Sequence, residues 1–303
     1  MSVETETLTF RRPMPDDLAG AARVLAAEET GVRGRSRWGV DETRDWWSWA
    51  NLDDSWVVDA DGEPVAIGLS LDRDPDRAIC LAAVDPRYGG RGISTELLAR
   101  AERRARERGT PRLQAGTIAE NEPAVRLFEK LGFREVRHFY RMRIDFDRQP
   151  DPPEWPSGIA VSTFRREDAR AFKATLDEAF AEEWGHFQMS FEDWERQRVD
   201  DPHADFSLWF LAREGDEVAG VLRAEPTRHG GGFVGALGVR RAWRRRGLGL
   251  ALLRHAFCEF HRRGLPHASL GVDAENPTGA TRLYERAGMY VDREDVVYEK
   301  ELK

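Results

Sequence analysis

The chain has 303 residues, of which 41% are hydrophobic and 33% are charged. This length is typical of about two domains, and the composition is that of an ordinary globular protein. The formal net charge of −8 argues against a general nucleic-acid-binding protein, because nucleic acid is itself a polyanion. No apolar run approaches the roughly 18 residues of a membrane span, and Ser2 to Arg12 contain no apolar signal core. We therefore expect a cytoplasmic protein without membrane association.

The only two cysteines, Cys80 and Cys258, lie too far apart in sequence to suggest a disulfide framework or a zinc ribbon. We expect both to be reduced and packed inside the protein. His255, Cys258 and His261 share one predicted helix, but the first and last of them lie far apart around its axis. No metal site is predicted.

A domain-sized repeat divides the chain. Phe-Arg-Arg opens each half, at 10–12 and again at 164–166, and four further sequence features recur in the same order at offsets of 153 to 156 residues. Five features in conserved order indicate a duplicated domain. Between the halves lies a Pro-rich stretch that cannot hold a helix. We therefore predict an N-terminal domain (1–147), a linker (148–157) and a C-terminal domain (158–303).

Within each half, the predicted elements follow one order. A helical stretch comes after Phe-Arg-Arg, and two strands then flank a charged glycine turn, at 61–66 in the first half and 214–219 in the second. The second half continues with a glycine turn (230–232), a buried strand (233–239), a helix (248–263), a strand (268–272), a helix from Pro277 to Gly288, and closing strands (289–300). The pattern predicts a mixed α/β (α+β) fold with two domains, each a twisted mixed β-sheet flanked by helices.

One segment of the second half has the features of an anion site. The buried strand ends at Val239, and an Arg/Gly turn then opens a helix at Leu248. Unpaired backbone N–H groups at such a turn, together with the positive end of the helix, attract a phosphate. Gly247 and Gly249 would let the phosphate approach the main chain, where a Cβ would block it. Neighbouring arginines add attraction for a polyanion.

An Arg/Gly segment of this kind can also serve two other ligands, nucleic acid and a dinucleotide. The arginines between 240 and 246 could form a nucleic-acid patch, but the acidic net charge and the glycines favour a phosphate loop. A dinucleotide fingerprint would need a third glycine at position 252, which is Leu252.

The second half resembles the GNAT (GCN5-related N-acetyltransferase) family in two motifs. Arg244-x-x-Gly247-x-Gly249 resembles the family's pyrophosphate loop, which holds coenzyme A. The later segment from Asn276 to Gly288 resembles its second signature, with one extra residue before the alanine and with Tyr284 at the tyrosine position. The two-domain arrangement is similar to that of mycothiol-synthase-like tandem GNAT proteins.

The first half carries both motifs in altered form. Gly89 stands where the family has Arg or Gln, Ser94 replaces the last small residue of the loop, and Phe128 stands at the position of the tyrosine. The resemblance therefore implies a degenerate coenzyme A loop in the first domain and catalysis in the second. In the first domain it implies cofactor-binding residues Val84, Gly90, Arg91, Gly92 and Asn121.

For the second domain, the resemblance implies acetyl transfer from acetyl-CoA to a primary amine by direct attack, without a metal. It implies that Tyr284 protonates the leaving sulfur. The cofactor-binding residues implied there are Leu237, Val239, Arg244, Arg245, Arg246, Gly247, Leu248, Gly249 and Asn276. A backbone N–H near Leu237 to Val239 would polarise the carbonyl, and the acceptor would be a small molecule or peptide.

The base that deprotonates the amine has several candidates in the sequence. Family members often carry a glutamate on the strand before the loop, but residues 233–237 include none. We expect Glu225 to serve as the base, with Glu182 and Glu183 as further candidates. The segment 184–187 is a candidate acceptor wall or, equally, a packed turn. The missing strand glutamate and the degenerate first loop leave a second functional hypothesis, a non-catalytic acyl-CoA-binding or sensor protein.

Overall fold

The computed structural model describes residues 7–302, apart from residues 37, 75, 186, 187 and 229. The chain forms two compact units. Unit 1 comprises Met1–His138 and Glu294–Lys303, and unit 2 comprises Phe139–Arg293. In the described part of the chain, no helix has both the length and the hydropathy needed to cross a membrane.

Unit 1 is built on a mixed sheet. Its strands are β1 (Leu8–Arg11), β2 (Trp56–Ala60), β3 (Glu63–Asp74), β4 (Arg77–Val84), β5 (Arg112–Ile118) and the first part of β6 (Arg134–Asp145). The first four strands pair antiparallel in sequence order, and β4 then pairs parallel with β5. The helices are α1 (Leu18–Arg33), α2 (Val40–Trp49), α3 (Ile93–Glu107) and α4 (Glu122–Lys130).

Unit 2 repeats this plan. Its strands are β7 (Ile159–Thr163), β8 (Trp209–Glu214), β9 (Glu217–Arg228), β10 (Gly231–Val239), β11 (His267–Asp273) and the first part of β12 (Tyr290–Glu301). Its helices are α5 (Ala169–Phe180), α6 (Phe191–Trp194), α7 (Leu248–Arg262) and α8 (Ala280–Arg286). Strands β7 to β10 pair antiparallel in order, and β10 pairs parallel with β11. The predicted mixed α/β class with two similar domains is confirmed.

The core of unit 2 explains why its central elements form where the sequence predicts them. Helix α7 buries Leu248, Leu252, Ala256 and Phe260, which recur every four residues and so share one face. This face packs on the sheet together with buried residues of β10 and β11. The apolar side chains of this helix face are buried against the sheet, and the removal of their surface from water drives the packing of helix on sheet.

Two details differ from the sequence expectations. Gly231 and Gly232, expected in a turn, belong to β10, and a Cβ at either position would approach His267 or Phe260 to 2.6 Å. These glycines therefore permit close packing rather than a turn. Helix α8 begins at Ala280 and not at Pro277, because Gly279 precedes it with a left-handed φ of 75°. The extra residue noted in the sequence motif lies in this short connection.

The two units exchange their last strands. Residues 139–145 of β6 pair antiparallel with β11 of unit 2, whereas residues 295–301 of β12 pair antiparallel with β5 of unit 1. The domain limits expected from the sequence, 1–147 and 158–303, assign each of these segments to the opposite unit. The expected linker (148–157) has no helix or strand, and its Trp155 packs against His255 of α7 with ring centroids 5.6 Å apart.

The far C-terminus thus completes the core of unit 1. Tyr298 is 3% exposed and lies in a cluster with Phe128 and Phe133, its ring centroid 5.1 Å from that of Phe128. Val296 is buried in the same cluster. Because these side chains come from the end of the chain, residues 1–147 alone lack part of the core that they need.

We predict that Tyr298→Ala destabilises unit 1 by about 3 to 5 kcal/mol, the usual cost of truncating a buried aromatic ring. Hydrogen exchange followed by mass spectrometry should show the loss of protection in β5 and α4. Tyr290→Ala provides a control on the same strand, since Tyr290 is 47% exposed. The control should leave β5 and α4 protected. If Tyr298→Ala instead exposed β10 and β11 and spared β5, the assignment of this strand to unit 1 would be wrong.

Candidate functional site

The central feature of unit 2 is a gap between two parallel strands. Pairing between β10 and β11 runs from Gly232 opposite Ala268 to Val234 opposite Leu270, although β10 continues to Val239 and β11 to Asp273. On its other side, β10 stays paired with β9, with a bulge between Val234 and Ala236. The described residues beyond Val234 therefore leave one edge of β10 open toward a cleft.

This cleft has a volume of about 610 Å³. Its walls come from the open ends of β10 and β11, the start of α7, the end of α5 with the residues after it, and α8 with the segment that precedes it. Most of the sequence-predicted site residues of unit 2 line it: Leu237, Val239, Arg244, Arg245, Gly247, Leu248, Gly249, Asn276 and Tyr284. A single concave site thus brings together residues that are up to 47 positions apart in sequence.

The start of α7 gives the cleft its anion-binding character. Gly247 precedes the helix with a φ of 86°, a left-handed conformation that favours glycine. Arg245 also has a positive φ, 63°, which is uncommon for a residue with a side chain. The first N–H groups of α7 have no partner within the helix, and Leu248 and Gly249 line the cleft. This geometry presents positive backbone dipoles to a negatively charged group.

The arginines of this turn are not equivalent. Arg244 donates from Nε to the Val239 carbonyl at 3.1 Å and from Nη2 to the Ala179 carbonyl at 3.2 Å, so it joins the end of β10 to the end of α5. Arg246 pairs with Glu214 at 2.7 Å and does not line the cleft. Arg245 is exposed and lines the cleft without a salt-bridge partner among the described residues.

Tyr284 lies on α8, and its side chain reaches the cleft from a buried position. It is 9% exposed and lines the cleft, and its hydroxyl has no hydrogen-bond partner among the described residues. Burial raises the pKa of Tyr284 well above its usual value, and the nearby Glu183 carboxylate raises it further. The hydroxyl therefore keeps its proton at any physiological pH.

Glu183 follows α5 and also lines the cleft. Asn276 donates from Nδ2 to Glu183 Oε1 at 3.0 Å. Burial raises the pKa of Glu183 to about 7; the Asn276 bond opposes this shift, and the negative charge of Asp273 adds to it. No cationic side chain among the described residues lies within 4.0 Å of this carboxylate. Glu183 thus changes its charge near neutral pH.

Glu225, the base expected from the sequence, is placed differently. It lies on β9 and forms an ion pair with Arg223, two residues before it on the same strand. It is not one of the residues that line the cleft. Glu182 does line the cleft, but it is exposed and its carboxylate faces Arg241 at 2.8 Å and Arg244 at 3.8 Å.

Three groups of cleft residues escaped the sequence reasoning. Arg282 and Arg286 lie on α8 and add two exposed positive charges to the cleft lining. Asp273 ends β11, and Phe139 lies opposite it on β6, with its ring centroid 6.1 Å from that of Trp184. The arginines of α8 could have been found from their helical spacing, i and i+4. No sequence feature places Phe139 in this cleft, because it falls within the domain limits expected for the first domain, 1–147.

His186 and Phe187, part of the expected acceptor wall, lie outside the described residues.

Unit 1 contains the equivalent turn with different side chains. Parallel pairing of β4 and β5 likewise stops at Cys80 opposite Ala115, although β4 runs on to Val84. Gly90 and Gly92 have positive φ values of 73° and 80°, as Arg245 and Gly247 have in unit 2.

The side chains around this first turn are engaged within unit 1. The guanidinium of Arg91 lies 4.7 Å from the centre of the Tyr88 ring. Asn121 precedes α4 and caps it: its Oδ1 accepts a hydrogen bond of 3.4 Å from the Ala124 N–H. Phe128 is buried at the position that corresponds to Tyr284.

The end of β4 is also covered by an acid. Glu28 of α1 accepts a hydrogen bond of 3.4 Å from the Val84 N–H through Oε1, and burial raises its pKa to about 7. Val84 corresponds to Val239, whose neighbourhood is open to the cleft in unit 2. The two units therefore share the strand geometry but differ in what faces it.

Comparisons with known proteins agree with this architecture. The family model described as "Acetyltransferase (GNAT) family" matches twice, over residues 23–133 and 169–289. A mycothiol acetyltransferase of Streptomyces scabiei is 33% identical over 221 residues, covering 70% of this chain and 67% of that protein. A mycothiol acetyltransferase of Thermobispora bispora is 30% identical over 224 residues, covering 72% and 74%.

Solved structures extend the similarity to the whole chain. A GCN5-related N-acetyltransferase from Sphaerobacter thermophilus is 35% identical with a TM-score of 0.84, covering 98% of this chain and 96% of that one. A tandem GNAT protein from the clavulanic acid biosynthesis pathway has the same fold at 19% identity, with a TM-score of 0.73 and coverage of 98% and 99%. The two family matches, one in each unit, confirm the resemblance found in the sequence: this chain belongs to the acetyltransferase (GNAT) family, as a tandem member that uses acetyl-CoA as its acetyl donor.

Proposed function

We propose that unit 2 transfers the acetyl group of acetyl-CoA to the primary amine of a small molecule, and that the cleft between β10 and β11 is where this happens. One observation carries the proposal: a single cleft combines an anion-binding helix start, an open strand edge and a buried protonated tyrosine. The proposal that the acceptor is small is supported by the relatives named mycothiol acetyltransferases. A non-catalytic sensor is not favoured, because these relatives are named as enzymes.

The residues at the start of α7 fit a diphosphate. Nothing lies within 4 Å of the point where a Cβ at Gly247 would project, so the backbone there is open to a ligand. We propose that the N–H groups from Arg245 to Gly249 bind the diphosphate, with the Arg245 side chain beside them. When bound, acetyl-CoA supplies the thioester whose acetyl group is transferred.

We assign roles in the transfer as follows. An N–H of the open edge of β10, between Leu237 and Val239, donates to the thioester carbonyl oxygen and stabilises negative charge there. Tyr284 gives its hydroxyl proton to the departing sulfur. Asn276 holds the Glu183 carboxylate in place through its Nδ2 bond.

Unit 1 has a structural or acetyl-CoA-binding role in this proposal. Phe128 has no hydroxyl to donate, and the Val84 N–H at the end of β4 is already bonded to Glu28. Both features argue against acetyl transfer in unit 1.

The proposed activity is tested by incubating the full chain with acetyl-CoA and a panel of amines that includes glucosamine, spermidine and an aminoacyl amide, with thiol release as the measurement. We expect amine-dependent thiol release by the full chain. Release that no amine accelerates, from protein that binds acetyl-CoA, would contradict the proposed transfer.

Gly247→Ala should lower the affinity for acetyl-CoA at least ~10-fold. A tenfold loss corresponds to about 1.4 kcal/mol. The added Cβ disfavours the left-handed backbone and narrows the approach of a phosphate to the N–H groups. Calorimetry on the full chain measures the binding isotherm, in which only the acetyl-CoA site of unit 2 should weaken.

Gly264→Ala is the matched control at the other end of α7. Gly264 has a φ of 74°, and its Cβ would also meet nothing within 4 Å, so the backbone strain is similar. The control should keep wild-type affinity. Equal affinities in Gly247→Ala and Gly264→Ala would rule out the phosphate role of this turn.

Tyr284→Phe should lower kcat by ~10²-fold, the usual contribution of a general acid, while changing acetyl-CoA affinity little. The ring stays, and the hydroxyl has no described hydrogen-bond partner to lose, so stability should change little. Since the pKa of Tyr284 is raised, we also expect no loss of kcat from its ionisation between pH 8 and 10. Steady-state kinetics on the best amine of the panel measures both.

Tyr298→Phe, a buried tyrosine of unit 1, is the matched control and should keep the wild-type kcat. An unchanged kcat in Tyr284→Phe, at a pH where chemistry limits turnover, would exclude Tyr284 as the proton donor.

A further inference from the structure

We propose that Glu183 is the catalytic base of unit 2, the group that takes the proton from the acceptor's ammonium. This inference rests on the proposed function and names its catalytic base, which strand β10 does not supply. Residues 233–237 carry no acidic side chain, so the base must reach the cleft from another element. Glu183 does so from the segment after α5.

The geometry around Glu183 suits this role. Its Oε1 is held by Asn276 Nδ2 at 3.0 Å, which fixes the carboxylate at the wall of the cleft. Tyr284 of α8 faces the same carboxylate closely enough for the charge of Glu183 to act on its hydroxyl. The proposed acid and the proposed base therefore line the same cleft.

The charges near Glu183 support proton exchange at neutral pH. Asp273 of β11 faces it and favours the protonated form, whereas the Asn276 bond favours the carboxylate. Glu182, its neighbour in sequence, forms ion pairs with Arg241 and Arg244. These two arginines therefore compensate the charge of Glu182 and not that of Glu183. Burial dominates and brings the pKa of Glu183 to about 7. A base with this pKa is half-deprotonated where a cytosolic enzyme works.

The duplicated half gives an internal comparison. Glu28 and Glu29 stand 18 and 19 residues after Phe10, as Glu182 and Glu183 do after Phe164, but the first pair lies within helix α1 and the second pair follows α5. In unit 1, Glu29 is 4% exposed, accepts a 2.8 Å hydrogen bond from Ser36 and lies 3.6 Å from Arg33. This carboxylate is engaged in a fixed ion pair and is not available as a base. Glu29 is thus a structural acid of unit 1, whereas Glu183 is open to the cleft of unit 2.

The proton balance of the step is complete with these two residues. Glu183 takes one proton from the ammonium, and the freed lone pair of the nitrogen forms the C–N bond while the C–S bond breaks. The sulfur keeps the electron pair of that bond and receives the Tyr284 proton. The second nitrogen proton restores the Tyr284 hydroxyl, and the proton on Glu183 leaves to solvent. The net change is one proton released for each acetyl group transferred.

The carboxylates and aromatic rings near Glu183 also indicate which class of acceptor the cleft binds. Glu183 and Asp273 supply negative charge, while the rings of Phe139 and Trp184 lie beside them. A protonated amine with an apolar or polarisable neighbour fits such a wall, because ammonium groups are attracted both to carboxylates and to ring faces. We therefore expect cationic amines, rather than amides or alcohols, to be bound.

The protonation of Glu183 can be measured without turnover. In the full chain labelled with [5-¹³C]glutamate, two carboxyl resonances should titrate near pH 7, those of Glu28 and Glu183. Glu183→Gln should remove one and Glu28→Gln the other. Asp273→Asn should lower the midpoint of the Glu183 resonance, and Asn276→Ala should raise it. A Glu183 resonance with a midpoint near the ordinary value of ~4.3 would overturn the proposal.

Kinetics then connect this carboxylate to the reaction. With the best amine of the panel and saturating acetyl-CoA, the wild-type rate should rise with pH through about 7, because only the carboxylate accepts a proton. Glu183→Gln should lower kcat/KM by ~10²-fold and abolish this rise of the rate with pH. Asp273→Asn should move the rise of the rate to lower pH. Glu285→Gln, an exposed glutamate of α8 that does not line the cleft, should keep the wild-type profile.

The outcomes separate this inference from the proposed function. Wild-type turnover with an unchanged rate and profile in Glu183→Gln would overturn the role of Glu183 alone. If Glu225→Gln instead abolished the rise of the rate with pH, the base would lie on β9, and the role of Glu183 would likewise be overturned. Absence of amine-dependent turnover in the wild type would contradict the proposed function, whatever the titration midpoint of Glu183.

Discussion

The structure of unit 2 depends on one constraint: two parallel strands stay paired for three residues and then separate. Pairing of β10 with β11 ends at Val234, and the strand edge beyond it has its backbone groups directed into a cleft. Unpaired backbone groups in a protein interior are costly, so such an opening implies a polar ligand or solvent there. The start of α7 and the side chain of Tyr284 face the same opening. Strand separation thus creates the space, and the surrounding elements give it chemistry.

The duplication sets the same strand geometry among different side chains in the two units. Unit 1 separates its strands at the corresponding position and retains two left-handed glycines in the turn. There, however, the Glu28 carboxylate bonds to the end of β4, and Phe128 provides no proton. The difference lies in a few side chains on a shared backbone plan. In the proposed function, the unit 2 copy of the duplicated domain carries out the chemistry, while the unit 1 copy has a structural or acetyl-CoA-binding role.

The sequence predicted the parts of the fold that depend on local periodicity. Helix α7 and strand β10 follow from apolar spacing, and the turn at Gly247 follows from its glycines and arginines. The exchange of the closing strands could not be predicted, since the partners of β6 and β12 are chosen by long-range pairing that the local sequence does not encode. For the same reason the sequence favours Glu225, the nearest acid along the chain to residues 233–237, whereas the connection after α5 brings Glu183 to the cleft.

The central claim is that acetyl transfer takes place in the cleft of unit 2. A crystal structure with a thioether analogue of acetyl-CoA tests it most directly. The account predicts the diphosphate on the N–H groups at the start of α7, the analogue's carbonyl oxygen within hydrogen-bond distance of the open edge of β10, and its sulfur beside the Tyr284 hydroxyl. An analogue bound only in unit 1, or bound in unit 2 with its sulfur turned away from Tyr284, would contradict the account.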